Sequence, residues 1–175
     1  MPGITNILNY AVSHGILVFA SAGNDGENTP IPFPARLNNV FCIGATDGLG
    51  KPKNFSPSAK GIEIYSTLGE AVSAASDPEN CSLDCFSSQR RDGTSVACPI
   101  AAGIAALLLD YTRRFGDSLY DAGNWTTMRK LFLGMSGGKE YGYLTPWQLV
   151  SPLEPQTFAN KIQETIRNPA SENPP

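Results

Sequence analysis

Gly93-Thr94-Ser95-Val96-Ala97-Cys98-Pro99 runs without a break into Ile100-Ala101-Ala102-Gly103-Ile104-Ala105-Ala106-Leu107-Leu108-Leu109. A small, flexible turn therefore delivers a serine to the start of a long apolar segment. Ser95 to Tyr111 leaves almost no polar face, and a helix apolar all round is expected to be buried on all sides. The first N–H groups of a helix have no acceptor within it, and its dipole is positive at that end. Negative charge developing beside the Ser95 oxygen would be stabilised there, as acyl transfer requires. A serine that merely caps the helix is the plainer reading of Gly93-Thr94-Ser95 alone.

Upstream, Ile4, Ile7, Leu8 and Ala11 recur at helical spacing, with Gly15 where the helix should stop. Ile16-Leu17-Val18-Phe19-Ala20 follows as a continuous apolar run, the pattern of a parallel strand covered on both faces. It ends in Ser21-Ala22-Gly23-Asn24-Asp25-Gly26. Asn24 thus sits just past the C-terminal end of a buried strand, where open α/β sheets bind ligands. Its side-chain amide can donate a hydrogen bond there. By itself Asn24-Asp25-Gly26 would be an ordinary turn.

Val40 to Gly44 reads as a second buried strand and Ile62 to Tyr65 as a third. Residues 69–92 are polar and irregular, a long loop of the kind found at binding sites. Asn124 is placed to cap a helix with Met128, Leu131, Phe132 and Met135 on one face and Gly137 beyond its end. A last amphipathic stretch carries Phe158, Ile162 and Ile166, and the Pro-rich tail from Asn168 is expected to be disordered. The order of elements predicts an α/β layer architecture with a parallel sheet. Residues 1–150 form the domain, and residues 151–175 a C-terminal helix and tail.

These two motifs resemble the subtilisin-like (subtilase) serine proteases, over about Ile4 to Val150. That family carries its nucleophile in Gly-Thr-Ser-x-Ala-x-Pro and its oxyanion asparagine in an Ala-Gly-Asn turn. The resemblance implies a partial three-layer fold, a parallel sheet with flanking helices and a buried central helix after the nucleophile. It implies Ser95 as nucleophile, with its own N–H as one oxyanion donor and Asn24 as the side-chain donor. Gly93 and Thr94 complete the nucleophile motif, and Ser21, Ala22 and Gly23 would form one wall of the primary specificity pocket. Phe33-Pro34 falls where the family has an aromatic–proline step that can be cis. The Gly-Thr-Ser-Val-Ala-Cys-Pro variant, with Cys98 for the usual Ser or Thr, is most similar to intracellular fungal relatives.

The family's triad order is Asp, His, Ser, and the first two lie well before the oxyanion asparagine. Only 23 residues precede Asn24, and they include no aspartate. The Asp-Thr/Ser-Gly and His-Gly-Thr motifs are both absent. Ser13-His14-Gly15 mimics a His-Gly pair, but it lies at the wrong end of its strand, about 17–20 Å from Asn24. The expectation is a serine endopeptidase by family whose Asp and His come from a missing N-terminal segment or another chain. Alternatives are a pseudo-protease that binds peptides and one half of a split enzyme. The chain alone is expected to be inactive for want of the Asp and His, and to be unstable or to need a partner because the strand at Ile16 lacks its upstream neighbour.

Other signals point nowhere. A net charge of -3 gives no electrostatic reason for a nucleic-acid or membrane partner. With one histidine and cysteines at 42, 81, 85 and 98, no metal site is expected, and no cofactor. A Cys81–Cys85 disulfide would need an oxidising compartment. No signal peptide or spanning segment is visible, so a cytoplasmic chain is the default and the sequons at Asn54, Asn80 and Asn124 are chance. Ser136-Gly137-Gly138-Lys139 and Gly44 to Lys51 are chance matches to other catalytic motifs.

Overall fold

The computed structural model describes residues 2–58, 61–74, 89–115, 122–136, 142–148 and 155–168. The possible Cys81–Cys85 bridge, Asn80, Gly137 and the tail beyond Asn168 fall outside them. Three parallel strands form the central sheet in the order β1 (Phe19–Ser21), β2 (Phe41–Thr46), β3 (Ile64–Leu68). The pleat sends Phe41, Ile43, Ala45 and Tyr65 to one face, while Cys42 and Ile64 go to the other. The first face carries the main core. The second is closed by Ala22, Ile31 and Ala35.

The strands are displaced from their expected bounds for a consistent reason. β2 and β3 run on through Thr46 and Thr67, hydroxylic residues that look like strand ends in sequence. Both are fully buried with their hydroxyls satisfied, Thr46 Oγ1 donating to the Thr67 carbonyl at 3.1 Å and Thr67 Oγ1 to the Ala97 carbonyl at 2.8 Å. At the front of β1 the opposite holds: Ile16, read as part of the strand, is 57% exposed. Residues 69–92 are not wholly irregular. Val72–Ala74 (β4) pairs antiparallel with Gln89–Arg91 (β5), which leads into the Gly93 turn.

The helix before β1, α1 (Pro2–Ser13), ends as its glycine predicts. Gly15 takes φ +74° and its N–H bonds the Val12 carbonyl, while the Ile16 N–H reaches back to Ala11. This paired 5→2 and 6→1 closure is the Schellman motif. The apolar stripe of α1 is not buried, however: Ile4 is 46% and Ile7 67% exposed.

The long apolar segment forms α2 (Thr94–Phe115), which lies across all three strands. It is not buried all round. Ala97, Ala101, Ala105 and Leu108 form one stripe against the sheet, where small side chains let helix and sheet approach closely. Pro99, Gly103, Ala106 and Leu107 face out, Leu107 with 72% of its surface exposed. Gly103 and Ala106 carry little apolar area, so their exposure costs little, and Leu107 is the large apolar side chain left open on that face. By length and composition alone Thr94–Arg114 could cross a membrane. The alanine stripe instead lies on the sheet.

α3 (Trp125–Ser136) forms as its sequence predicts, with Asn124 Oδ1 accepting the Thr126 N–H at 2.8 Å and Met128, Leu131, Phe132 and Met135 buried. Phe132 meets Phe41 and Tyr65, both at 5.2 Å between ring centroids. α4 (Pro155–Arg167) adds Ile162 and Ile166 to the same core. It crosses α3 at Gly134, where a Cβ would fall 2.1 Å from Thr165 Cγ2. Gly134→Leu is therefore expected to lower stability by about 1–3 kcal/mol through overpacking. Urea unfolding of the variant against the parent chain checks this, and equal midpoints would contradict it.

Candidate active site

The two sequence motifs meet at the C-terminal edge of the sheet. β1 ends at Ser21, and Ala22-Gly23-Asn24 turns over the edge with Gly23 at φ +100°. On the other side, Gly93 at φ +135° turns the chain into the first residues of α2. A side chain at Gly93 would be strained by that φ. It would also stand in the site: its Cβ position lies 3.2 Å from Asn24 Nδ2 and 3.4 Å from Ser95 Oγ. The amide and the hydroxyl, 71 positions apart in sequence, thus flank one small space.

Thr94 fastens the two motifs together. Its side chain is buried, and its Oγ1 accepts the Gly23 N–H at 3.2 Å and lies 3.1 Å from both the Gly23 carbonyl and Asn24 Oδ1. Its single hydroxyl proton serves one of those two acceptors. The Thr94 N–H donates to Asn24 Oδ1 at 2.9 Å, so Asn24 caps α2 from outside the helix. Because Oδ1 takes that bond, the Nδ2 hydrogens are turned the other way and remain available as donors. Asn24 and Ser95 are both exposed, as groups that meet a ligand must be.

The Gly93 turn is braced from the strand side as well. The Gly93 N–H donates to the Gly69 carbonyl, and the Gly69 N–H to the Thr46 carbonyl, each at 2.9 Å. A Cβ on Gly69 would lie 2.5 Å from Ala45 Cβ and 3.0 Å from the Gly93 carbonyl oxygen, so only glycine fits. The Asp92 carboxylate takes the Ala71 N–H at 2.6 Å, and Ala71 holds φ +52°, rare for a residue with a side chain. Lys53 and Glu70 form an ion pair close by, and it holds the Lys53 ammonium above its usual range, with Asp47 and Asp92 adding to the effect. Sequence reading passed over Gly69 and Asp92. Their one signal was position, immediately after a strand and immediately before the Gly-Thr-Ser turn.

The remaining expectations divide. Ser21 and Gly23 are half-buried beside the site, but the Ala22 side chain is fully buried in the second core, so only its backbone can line a pocket. The Phe33–Pro34 peptide is cis. His14, the chain's one histidine, sits at the far end of β1 from Asn24, with Nδ1 2.8 Å from the Tyr10 carbonyl and its ring 4.0 Å from that of Tyr10. Cys98, one turn along α2 from Ser95, is half-buried, and burial raises its thiol pKa. Burial pushes that of Cys42 up to about 12, with Cys98 adding a smaller effect. Among the described residues no group of three or more His, Cys, Asp or Glu is placed to hold a metal ion.

The Thr94 clamp can be tested directly. Thr94→Val keeps the shape but strands the Gly23 N–H, which should cost about 1–3 kcal/mol. The loss is expected in urea unfolding. An unchanged midpoint would show that the clamp does not hold the two motifs.

The family model described as the subtilase family matches residues 2–139. The chain is 34% identical over 107 residues to an extracellular protease of Xanthomonas campestris pv. campestris, covering 59% of this chain and 18% of the relative. It is 36% identical over 101 residues to Subtilisin Savinase of Lederbergia lenta, covering 58% of this chain and 34% of the relative. The chain thus spans 18% and 34% of these two curated relatives. Among solved structures, the prenylagaramide maturation protease PagA superposes with a TM-score of 0.63 at 28% identity, over 74% of this chain and 44% of that one. The self-cleaved protease domain of PatA gives 0.68 at 24% identity, over 91% of this chain and 54% of that one, a likeness of fold.

Proposed function

Because the chain belongs to the subtilase family, we propose that it is the nucleophile-bearing part of a serine endopeptidase, completed by an aspartate and a histidine from outside these 175 residues. The observation that carries this reading is the shared space between Asn24 Nδ2 and Ser95 Oγ, with Asn24 oriented by the Thr94 N–H. In the completed site, Ser95 Oγ attacks the carbonyl carbon of a peptide bond as an imidazole takes the hydroxyl proton. The carbonyl oxygen becomes an oxyanion, received by Asn24 Nδ2 and the Ser95 N–H at the positive end of α2. Collapse breaks the C–N bond, and the imidazolium gives its proton to the leaving amine. Water then releases the acyl group from Ser95 by the same route.

His14 is at the wrong end of β1 to serve as that imidazole. Alone, the chain would keep only part of the apparatus. In subtilisin itself, oxyanion hole and binding without the triad leave roughly 10³–10⁴ over water. The test supplies the Asp- and His-bearing half of a relative, such as the part of Subtilisin Savinase preceding its matched residues, and follows a chromogenic peptide. Hydrolysis is expected in the mixture only. Full activity of the chain alone contradicts the reading. So does a mixture whose halves associate without cleaving, which would leave a peptide-binding module.

A further inference from the structure

The chain that leaves β2 doubles straight back on it. Thr46 bridges Pro52 in antiparallel fashion, the Asp47 N–H donates to the Lys51 carbonyl at 2.9 Å, and the Lys53 N–H to the Ala45 carbonyl at 3.1 Å. Asp47 Oδ1 accepts the Leu49 and Lys51 N–H groups, each at 2.9 Å, so the turn is tied from inside. Lys53 is thereby mounted beside the end of β3, where its ammonium pairs with Glu70, 17 positions along the chain.

Glu70 occupies the joint from which the Gly93 turn hangs. A peptide unit is planar, so the Gly69 carbonyl moves as one piece with the Glu70 N–H, and the Glu70 carbonyl with the Ala71 N–H. The first unit accepts the Gly93 N–H at 2.9 Å, and the second donates to the Asp92 carboxylate at 2.6 Å. Both planes meet at the Glu70 α-carbon. The joint is also strained. Ala71, at φ +52°, is the one residue other than glycine with positive φ among the described residues. Such a conformation persists only where its surroundings hold it. Gly93, at φ +135°, adds little stiffness of its own, because glycine is permissive. What fixes the turn must come from its partners.

An isolated ion pair at a partly exposed position contributes little, and a charge network is the exception. Lys53 stands in one. The hydrogen bond to Glu70 holds its ammonium above the usual range, and Asp47 and Asp92 act on it in the same sense. These three carboxylates come from the turn after β2, the joint after β3 and the residue before Gly93. Without the cation they repel one another across the joint. We propose that Lys53 is a positioning residue for Ser95: by holding Glu70 it fixes the two peptide units bonded to Gly93 and Asp92, and so sets where the Ser95 hydroxyl and N–H stand relative to Asn24. This rests on the proposed function and deepens it. Acyl transfer is sensitive to such placement, since a shift of about 1 Å can cost about 10²-fold in rate.

The test reads two quantities. Amide hydrogen exchange is followed on the 175-residue chain alone, and hydrolysis of a chromogenic peptide on the chain completed with the same half of Subtilisin Savinase. Lys53→Met should speed exchange of the Ala71 and Gly93 amides about tenfold, while Leu131 and Phe132 in α3 keep the parental rate. In the completed enzyme it should lower kcat about tenfold with KM changed by less than about twofold, the pattern of a misplaced nucleophile rather than of lost binding. Lys53→Arg keeps the cation and should restore both readouts. Arg114→Met, which breaks the exposed Asp110 pair at the far end of α2, should alter neither. Parental exchange at Ala71 and Gly93 in Lys53→Met overturns the inference. So does faster exchange throughout α3, or a loss that Lys53→Arg shares, since either would mark a merely structural residue. A parental kcat for Lys53→Met in a complex that cleaves keeps the proposed function and rejects this role. A parent complex that associates without cleaving, while Lys53→Met still frees the Gly93 amide, rejects the proposed function and keeps the brace.

Discussion

Ser95→Ala is expected to lower kcat for peptide hydrolysis in the completed enzyme by about 10⁶-fold, the magnitude known for subtilisin itself. The reason is chemical rather than structural. Ser95 is exposed at the start of α2, while the turn is held by Gly93, Thr94 and Gly69, so the methyl group disturbs none of its fastenings. Stability should change by no more than about 0.5 kcal/mol, as for other surface substitutions. Substrate binding should survive, so the loss falls on kcat with KM little altered. Single-turnover kinetics with a chromogenic peptide reads both. Ser95→Cys is a useful companion, since it restores a nucleophile at the same place. A Ser95→Ala variant retaining a tenth of parental kcat would remove Ser95 from the chemistry.

The second large effect belongs to Asn24. Asn24→Ala should reduce kcat by about 10²–10³-fold, again a value known from subtilisin's own oxyanion donor. Here the side chain has two duties, because Oδ1 accepts the Thr94 N–H while Nδ2 faces the space beside Ser95. Alanine removes both. Asn24→Asp separates them, since a carboxylate still accepts from Thr94 but offers no donor and adds negative charge where an oxyanion must form. The expected result is a fall in kcat at least as large as for alanine, with a smaller loss of stability. A kcat for Asn24→Asp near the parent's would mean that Asn24 acts only as a cap for α2.

How far these roles were readable from sequence depends on the distance over which each is decided. The Asn124 cap and the Met128, Leu131, Phe132, Met135 face of α3 are local matters of period and hydrogen bonding, and they stand where the sequence put them. So does the stop at Gly15, which one left-handed residue decides. The motif pair was legible too, because Gly93-Thr94-Ser95 and Ala22-Gly23-Asn24 are short and chemically distinctive. What escaped was decided by neighbours far along the chain. Thr46 and Thr67 belong to strands only because a carbonyl waits for each hydroxyl. Gly69 must be glycine only because Ala45 and the Gly93 carbonyl press on it. α2 was read as buried throughout because its residues are apolar throughout. Hydropathy gives no information about which side of a helix finds a partner, and here the Ala97, Ala101, Ala105, Leu108 stripe does, with Cys98, Ile104 and Leu109 packed beside it.

The α1 stripe and Ile16 leave apolar surface exposed beside β1, the outer strand of the sheet among the described residues. Thr94 and Gly69 hold the Asn24–Ser95 corner from within the chain.

The most direct test of the central claim is covalent labelling with a fluorophosphonate, located by peptide mapping and mass spectrometry. Such a reagent reacts with a serine only where a base activates it and an oxyanion site receives the phosphoryl oxygen. The account predicts one equivalent of label on Ser95 when the Asp- and His-bearing half is present, and negligible labelling of the chain alone. Label on a different serine, or none in an associated complex, would contradict it.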